Sequence, residues 1–258
     1  MKRRNFTMYP ILFQYKFITI GGYGVMLAIG IYMAYILFER ELILRNINPD
    51  LAYKILLVAI PAGIIGSKVF HILDHMDEFL SDPAGTVFSG AGLSIYGGFL
   101  FALLFSYFLI KKSNEPVLKI LDITAPCIAV GYGFGRIGCH VAGDGCYGIE
   151  TSSIFGVAYP NGIVPISYAV YPTPLFESFF SFIVAILLLQ LRKKEFPQGT
   201  LFFIYLILNG LPRFFVEFIR RNPVVFAGLT QAQIIALGLI MAGIAGLVIV
   251  HQKKLRNA

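Results

Sequence analysis

Apolar residues run along this chain in seven blocks of roughly 20 residues rather than alternating with polar ones. The blocks lie at about 17–38, 51–73, 91–110, 117–139, 172–191, 199–219 and 229–250. A helix of that length crosses a hydrocarbon core about 30 Å thick. The pattern therefore predicts an all-α polytopic membrane protein with about seven transmembrane helices. No fixed-period repeat divides it, so residues 1–258 are expected to form a single integral membrane domain. Pro61 and Gly63 are expected to break the second span, while the fourth contains Asp122 and Pro126 and runs into a glycine-rich stretch. Residues 1–16 mix Phe6, Tyr9, Ile11, Phe13 and Tyr15 with basic residues, as a segment lying on the interface would. Residues 141–171 form the longest non-spanning segment and hold no lysine or arginine.

Composition strengthens this reading. The chain is 57% hydrophobic and only 14% charged, with a mean hydropathy of +0.75, whereas soluble domains carry nearer a quarter charged residues. The net charge of +7 sits mostly in short loops, so it implies orientation rather than nucleic-acid binding. Arg40 and Arg45, Lys111 and Lys112, and Arg192 to Lys194 follow spans one, three and five, and the tail adds Lys253, Lys254 and Arg256. The connections after spans two and four carry no such cations. This places the C-terminus in the cytoplasm and the N-terminus outside, with Lys2, Arg3, Arg4 and Lys16 as the dissent. The segment 141–171 then becomes an extracytoplasmic loop or head. The first apolar block lacks a clear cleavage site and reads as a retained helix.

The stretch from Gly131 to Gly148 carries the strongest chemical signal. Seven of its eighteen residues are glycine, with Arg136, Cys139, His140, Asp144 and Cys146 among them. So many glycines point to close backbone approach or a non-helical turn. An arginine there is expensive without a partner, a wet cavity or an anion. A glycine-lined helix contact with a snorkelling arginine is one reading; an anion site at the membrane edge is the sharper one. Arg213, Glu217 and Arg220 follow at spacings of four and three, on one helical face just after Pro212. Glu217 suits a bridge between the two arginines. Arg136 and Arg213 reach the same outer level from different helices, and paired guanidiniums suit a phosphate.

Asp144 reads as the salt-bridge partner of an arginine before it reads as a general base. His71 and His75 with Asp74, Asp77 and Glu78 have metal-like spacing, but at a span edge they suit a solvated collar. Cys139, His140 and Cys146 admit a thiol nucleophile, a small zinc site or a Cys139–Cys146 disulfide. Two cysteines and one histidine are too few for a closed zinc site, and the disulfide is the better supported of the three.

These motifs resemble the prolipoprotein diacylglyceryl transferase family, in matching order over nearly the whole chain. The residues that carry the resemblance are Gly22-Tyr23-Gly24-Val25-Met26, Tyr96-Gly97-Gly98, Asp122, Pro126, Gly135-Arg136-Ile137-Gly138, Pro172 to Glu177, Arg213 to Arg220, and Gln231 to Gln233. The resemblance implies a seven-span enzyme of the bacterial cytoplasmic membrane. Its reaction moves the diacylglyceryl group of phosphatidylglycerol to the lipobox cysteine thiol of a prolipoprotein, giving a thioether and glycerol phosphate.

Carried over, Arg136 and Arg213 hold the lipid phosphate and stabilise its departure. Tyr23, Gly97, Gly98, Gly135, Gly143, Gly148 and Asn209 belong to the lipid-binding set, with Glu217 and Arg220 supporting Arg213. Asp144 stands at the signature glutamate. No metal or organic cofactor is implied; the partners are phosphatidylglycerol, lipobox peptides and the bilayer. The chain departs from the family at Cys139 and Ala142, each in place of an asparagine, and at Tyr96, in place of a histidine assigned to thiol activation. His140 is the nearest alternative base. The rival readings are a sister transferase with another acceptor and a non-enzymatic lipid-binding or transport protein.

Overall fold

The computed structural model describes residues 8–16, 18–88 and 94–257. Seven helices of 17 to 27 residues stand where the apolar blocks lie: α1 (Gly22–Leu44), α2 (Asp50–Asp74), α5 (Ile95–Lys112), α6 (Val117–Ala142), α7 (Thr173–Leu191), α8 (Thr200–Val216) and α9 (Gln231–Asn257). Two six-residue helices, α3 (Met76–Ser81) and α4 (Pro83–Phe88), follow α2. Among the described residues, five helices are long and apolar enough to cross a membrane: α2, α6, α7, α8 with its terminal turn, and α9. Large apolar side chains such as Leu57, Ile64, Phe99, Phe179, Phe215 and Ile249 are exposed on helix surfaces. That much apolar exposure suits lipid rather than water as the neighbour. The chain is a multi-pass helical membrane protein.

Three short antiparallel pairs correct a purely helical reading. β1 (Ile11–Tyr15) pairs with β2 (Ile18–Gly21), β3 (Val157–Tyr159) with β4 (Ile166–Val170), and β5 (Val224–Phe226) with β6 (Leu229–Thr230). The first pair takes up residues 18–21, so α1 starts at Gly22 rather than near residue 17. Pro61 is corrected too, because α2 runs through it without ending.

The chain forms two compact units. One is residues 38–120; the other combines the chain up to Leu37 with everything from Leu121 onward. In the first, α2 and α5 pack through small residues. A Cβ at Gly97 would lie 2.3 Å from the Gly66 carbonyl oxygen, and one at Gly98 would lie 2.2 Å from Ser67 Oγ. Both glycines are therefore required for close helix approach.

In the second unit, Ala125, Ala129, Val184, Ala185, Leu188, Leu201 and Tyr205 pack α6, α7 and α8 around one core. Asp122 explains its own burial there. Its carboxylate accepts the backbone N–H groups of Gly199 at 2.6 Å and Phe202 at 2.9 Å, capping the start of α8 from a different helix. Ser181 donates to the Ala129 carbonyl at 2.7 Å and ties α7 to α6. Above the helix ends, Met8, Tyr147, Val157, Tyr159, Ile166 and Val170 make a small separate core.

Candidate active site

The ends of α6 and α8 and the start of α7 meet at the side of the second unit where residues 143–172 connect α6 to α7. Their dipoles prepare the place for charge. The C-terminal turns of α6 and α8 favour cations, and the first turns of α7 favour an anion. Arg213 lies in the last turn of α8, while Arg136 lies further inside α6 and Glu177 just past the first turn of α7.

Glu177 is the centre of the arrangement. One oxygen receives Arg136 Nε at 2.6 Å and the Tyr132 hydroxyl at 2.5 Å. The other receives Arg213 at 2.8 Å and Arg220 at 3.1 Å. Glu217 forms a second carboxylate layer. It lies 3.2 Å from Arg213 and 3.8 Å from Arg220, and accepts hydrogen bonds from Asn222 and Thr230. Glu217 thus bridges both arginines. The Arg136 guanidinium also lies 4.9 Å from the centre of the Tyr132 ring.

Three guanidiniums against two buried carboxylates leave one net positive charge. Exposure separates their tasks. The side chains of Arg136 and Arg213 keep 18% and 20% of their surface, whereas Arg220 keeps 7%. The first two can face a ligand; Arg220 holds the frame. A small cavity beside Arg213 and Glu177 is also lined by Asn209, Tyr132, Ser181 and Pro212.

The α8 helix tightens into a 3-10 turn at Glu217–Ile219, and Arg220 leaves it in an extended conformation. Gly148 meets it there in an antiparallel bridge. A Cβ on Gly148 would lie 2.3 Å from the Ile219 carbonyl oxygen, so a side chain at this position would push the loop off the arginine. Gly135 has open space around it, and Gly138 packs against the Tyr23 ring.

The turn after α6 builds a second polar group. Gly143 ends the helix with φ of 59°, and its N–H returns to the Cys139 carbonyl at 3.0 Å. This brings the Cys139 and Cys146 sulfurs and an Asp144 carboxylate oxygen within 4.8 Å of one another. Asp144 Oδ1 accepts the Cys146 N–H at 3.1 Å. The thiols are free, and the Cys139–Cys146 disulfide, one of the three readings of this group, is absent from the structure. A hydrogen bond from the Cys139 thiol holds the Cys146 thiol below its ordinary range, and Arg220 acts in the same direction, against burial and Asp144.

The chain matches the family model described as prolipoprotein diacylglyceryl transferase over residues 10–249. The chain belongs to the prolipoprotein diacylglyceryl transferase family. Phosphatidylglycerol--prolipoprotein diacylglyceryl transferase of Clostridium tetani is 36% identical over 239 residues, covering 92% of this chain and 96% of that protein. A second such transferase, from Clostridium perfringens, is 34% identical, covering 87% and 89%. The corresponding Leptospira interrogans protein is 31% identical, covering 85% and 77%.

Within this diacylglyceryl transferase chain, the structure gathers Arg136, Arg213, Glu217, Arg220 and Asn209 around Glu177. Asp144 departs from expectation: among the described residues it makes no ion pair, and the carboxylate partner of Arg136 is Glu177. His140 is buried, with Nδ1 at 2.8 Å from the Tyr159 hydroxyl and its ring edge-on to that ring. Gly97 and Gly98 lie in the other unit, in the first turns of α5. Tyr96 is in that turn too; its side chain lies outside the described residues. Sequence reasoning missed Glu177 and Tyr132 as site residues. The signal for Glu177 was available, since it is the sole charged residue of the apolar α7 helix.

Proposed function

We propose that this chain transfers the diacylglyceryl group of phosphatidylglycerol to the lipobox cysteine thiol of prolipoproteins. The observation that carries this is the net positive charge of the Glu177-centred lattice, with Arg136 and Arg213 partly open beside it. A guanidinium presents planar paired donors that fit phosphate oxygens. As the thiolate attacks the glycerol carbon, the carbon–oxygen bond breaks and the glycerol phosphate leaves with an added negative charge. Fixed guanidiniums stabilise that charge more than they stabilise the diester, which is what lowers the barrier. Tyr23, Gly135 and Asn209 border the path of the lipid in this reading.

The proposed setting is the bacterial cytoplasmic membrane, with seven spans, the N-terminus outside and the C-terminus in the cytoplasm. Residues 1–258 act as one membrane domain, with 141–171 as its outer head. Cysteines placed at Ser153 and Asn161 should react with an impermeant thiol reagent in intact spheroplasts, and one at Ser113 should not. The reverse pattern refutes the orientation. For the activity itself, purified protein given labelled phosphatidylglycerol and a lipobox peptide should yield thioether peptide and glycerol phosphate in equal amounts. Release of neither product refutes the assignment.

A further inference from the structure

We propose that Cys139, Asp144 and Cys146 form a binding site for one soft divalent cation of the zinc type, open on one side to the acceptor thiol. This rests on the transferase reading for the identity of its fourth ligand, though not for the cation site itself.

The geometry fits the ion. Zinc takes thiolate sulfur at about 2.3 Å and carboxylate oxygen at about 2.0–2.2 Å in a tetrahedron, which puts neighbouring ligand atoms roughly 3.5–3.8 Å apart. Here two sulfurs and a carboxylate oxygen lie within 4.8 Å of one another, before any ion has drawn them together. The frame around them is fixed. Cys139 is held by the last turn of α6, which Gly143 closes with a positive φ. The bond from the Cys146 N–H to Asp144 Oδ1 sets that carboxylate beside the two thiols.

Charge also fits. Two thiolates and a carboxylate outweigh a dication by one negative charge, and both Arg136 and Arg220 act electrostatically on this cysteine pair. His140 is not among the ligand group, and its Nδ1 is engaged by Tyr159.

Three protein ligands are the hallmark of a zinc site that keeps a coordination position for a reactant, whereas structural sites close with four. A thiol entering such a position is deprotonated by the metal. The balance is simple. The acceptor R–SH gives its proton to water as its sulfur binds. The thiolate sulfur then forms a bond to the glycerol carbon that carries the phosphate. The carbon–oxygen bond breaks, and glycerol phosphate departs with the electron pair. Nothing is oxidised or reduced.

The test uses the full chain, purified reduced in detergent and loaded with cobalt(II) as a spectroscopic substitute for zinc. One equivalent should be retained through desalting and show thiolate-to-cobalt charge transfer in the near ultraviolet. Cys139→Ser and Cys146→Ser should each weaken retention at least about tenfold. Zinc should likewise slow alkylation of Cys139 and Cys146 in the unaltered protein by about tenfold or more, which needs no variant to fold. No retention, retention unchanged in the double serine variant, or no protection from alkylation overturns the site. A Cys139–Cys146 disulfide already formed in protein alkylated before lysis overturns it too. A lipobox peptide should add charge-transfer intensity, and its cysteine-to-serine version should not; equal spectra overturn ligation of the acceptor. Thioether formation by chelator-treated protein at an undiminished rate removes the metal from the reaction and leaves the transferase assignment standing.

Discussion

The arginine–glutamate lattice and the thiol-bearing turn lie in one unit, yet they hold their polar groups by opposite means. The lattice bonds to Glu177 join residues 36 to 45 positions apart, across three helices. The turn is local: Cys139, Asp144 and Cys146 are brought together by one helix end and two left-handed glycines, Gly143 and Gly145. The lattice therefore exists only when the helices are assembled, and it in turn fixes their relative depth. A buried charge left without its partner is costly, so each member of the lattice depends on every other. The turn carries no ion pair of its own among the described residues, and its groups can change partner without unfolding a helix. The lattice suits a task that needs fixed charge. The turn suits a task that needs exchangeable ligands.

Breaking the lattice at its centre should have the largest effect. Glu177→Gln leaves three arginines with one carboxylate, and loss of one partner in a buried pair costs about 3–5 kcal/mol. Thermal unfolding in detergent should shift down and transferase activity should fall at least about a hundredfold. A variant with normal stability and activity would mean that Glu177 does not organise the arginines.

Next comes the ligand-facing layer. Arg136→Lys and Arg213→Lys keep charge but lose paired donors. Each should lower activity about tenfold or more, since a charged hydrogen bond is worth roughly 1.5–3 kcal/mol. Arg220→Lys should act mainly through stability, because Arg220 is buried behind the other two. An Arg220→Lys loss confined to activity, with unfolding unchanged, would put Arg220 in contact with the lipid.

Smallest is the periphery of the turn. His140→Ala removes a buried hydrogen bond to Tyr159 and should cost about 1 kcal/mol of stability. Its rate should fall by less than about threefold. Abolished activity with intact phosphatidylglycerol binding would instead make His140 the general base.

This contrast also explains what the sequence discloses. Helix positions are legible because each span is a continuous apolar block, and the Arg213-Glu217-Arg220 spacing discloses the local face of α8. The hairpins at 11–21 and 224–230 are too short to leave a pattern. Glu177 was visible as part of a motif, but its role depends on Arg136, Arg213 and Arg220 arriving from other helices. Asp122 looked like part of the approach to the glycine stretch and instead caps α8, a partnership spanning 77 positions. Asp144 was assigned to an arginine because they are close in sequence. Helix α6 carries Arg136 toward Glu177, and the turn leaves Asp144 with the thiols.

The central claim is that Arg136 and Arg213, held by Glu177, recognise the lipid phosphate. Equilibrium binding of phosphatidylglycerol and of diacylglycerol to the Arg136→Lys/Arg213→Lys double variant in nanodiscs tests it most directly. The account predicts phosphatidylglycerol binding at least about tenfold weaker than in the unaltered protein, with diacylglycerol binding unchanged. Equal weakening of both lipids, or of neither, would contradict it.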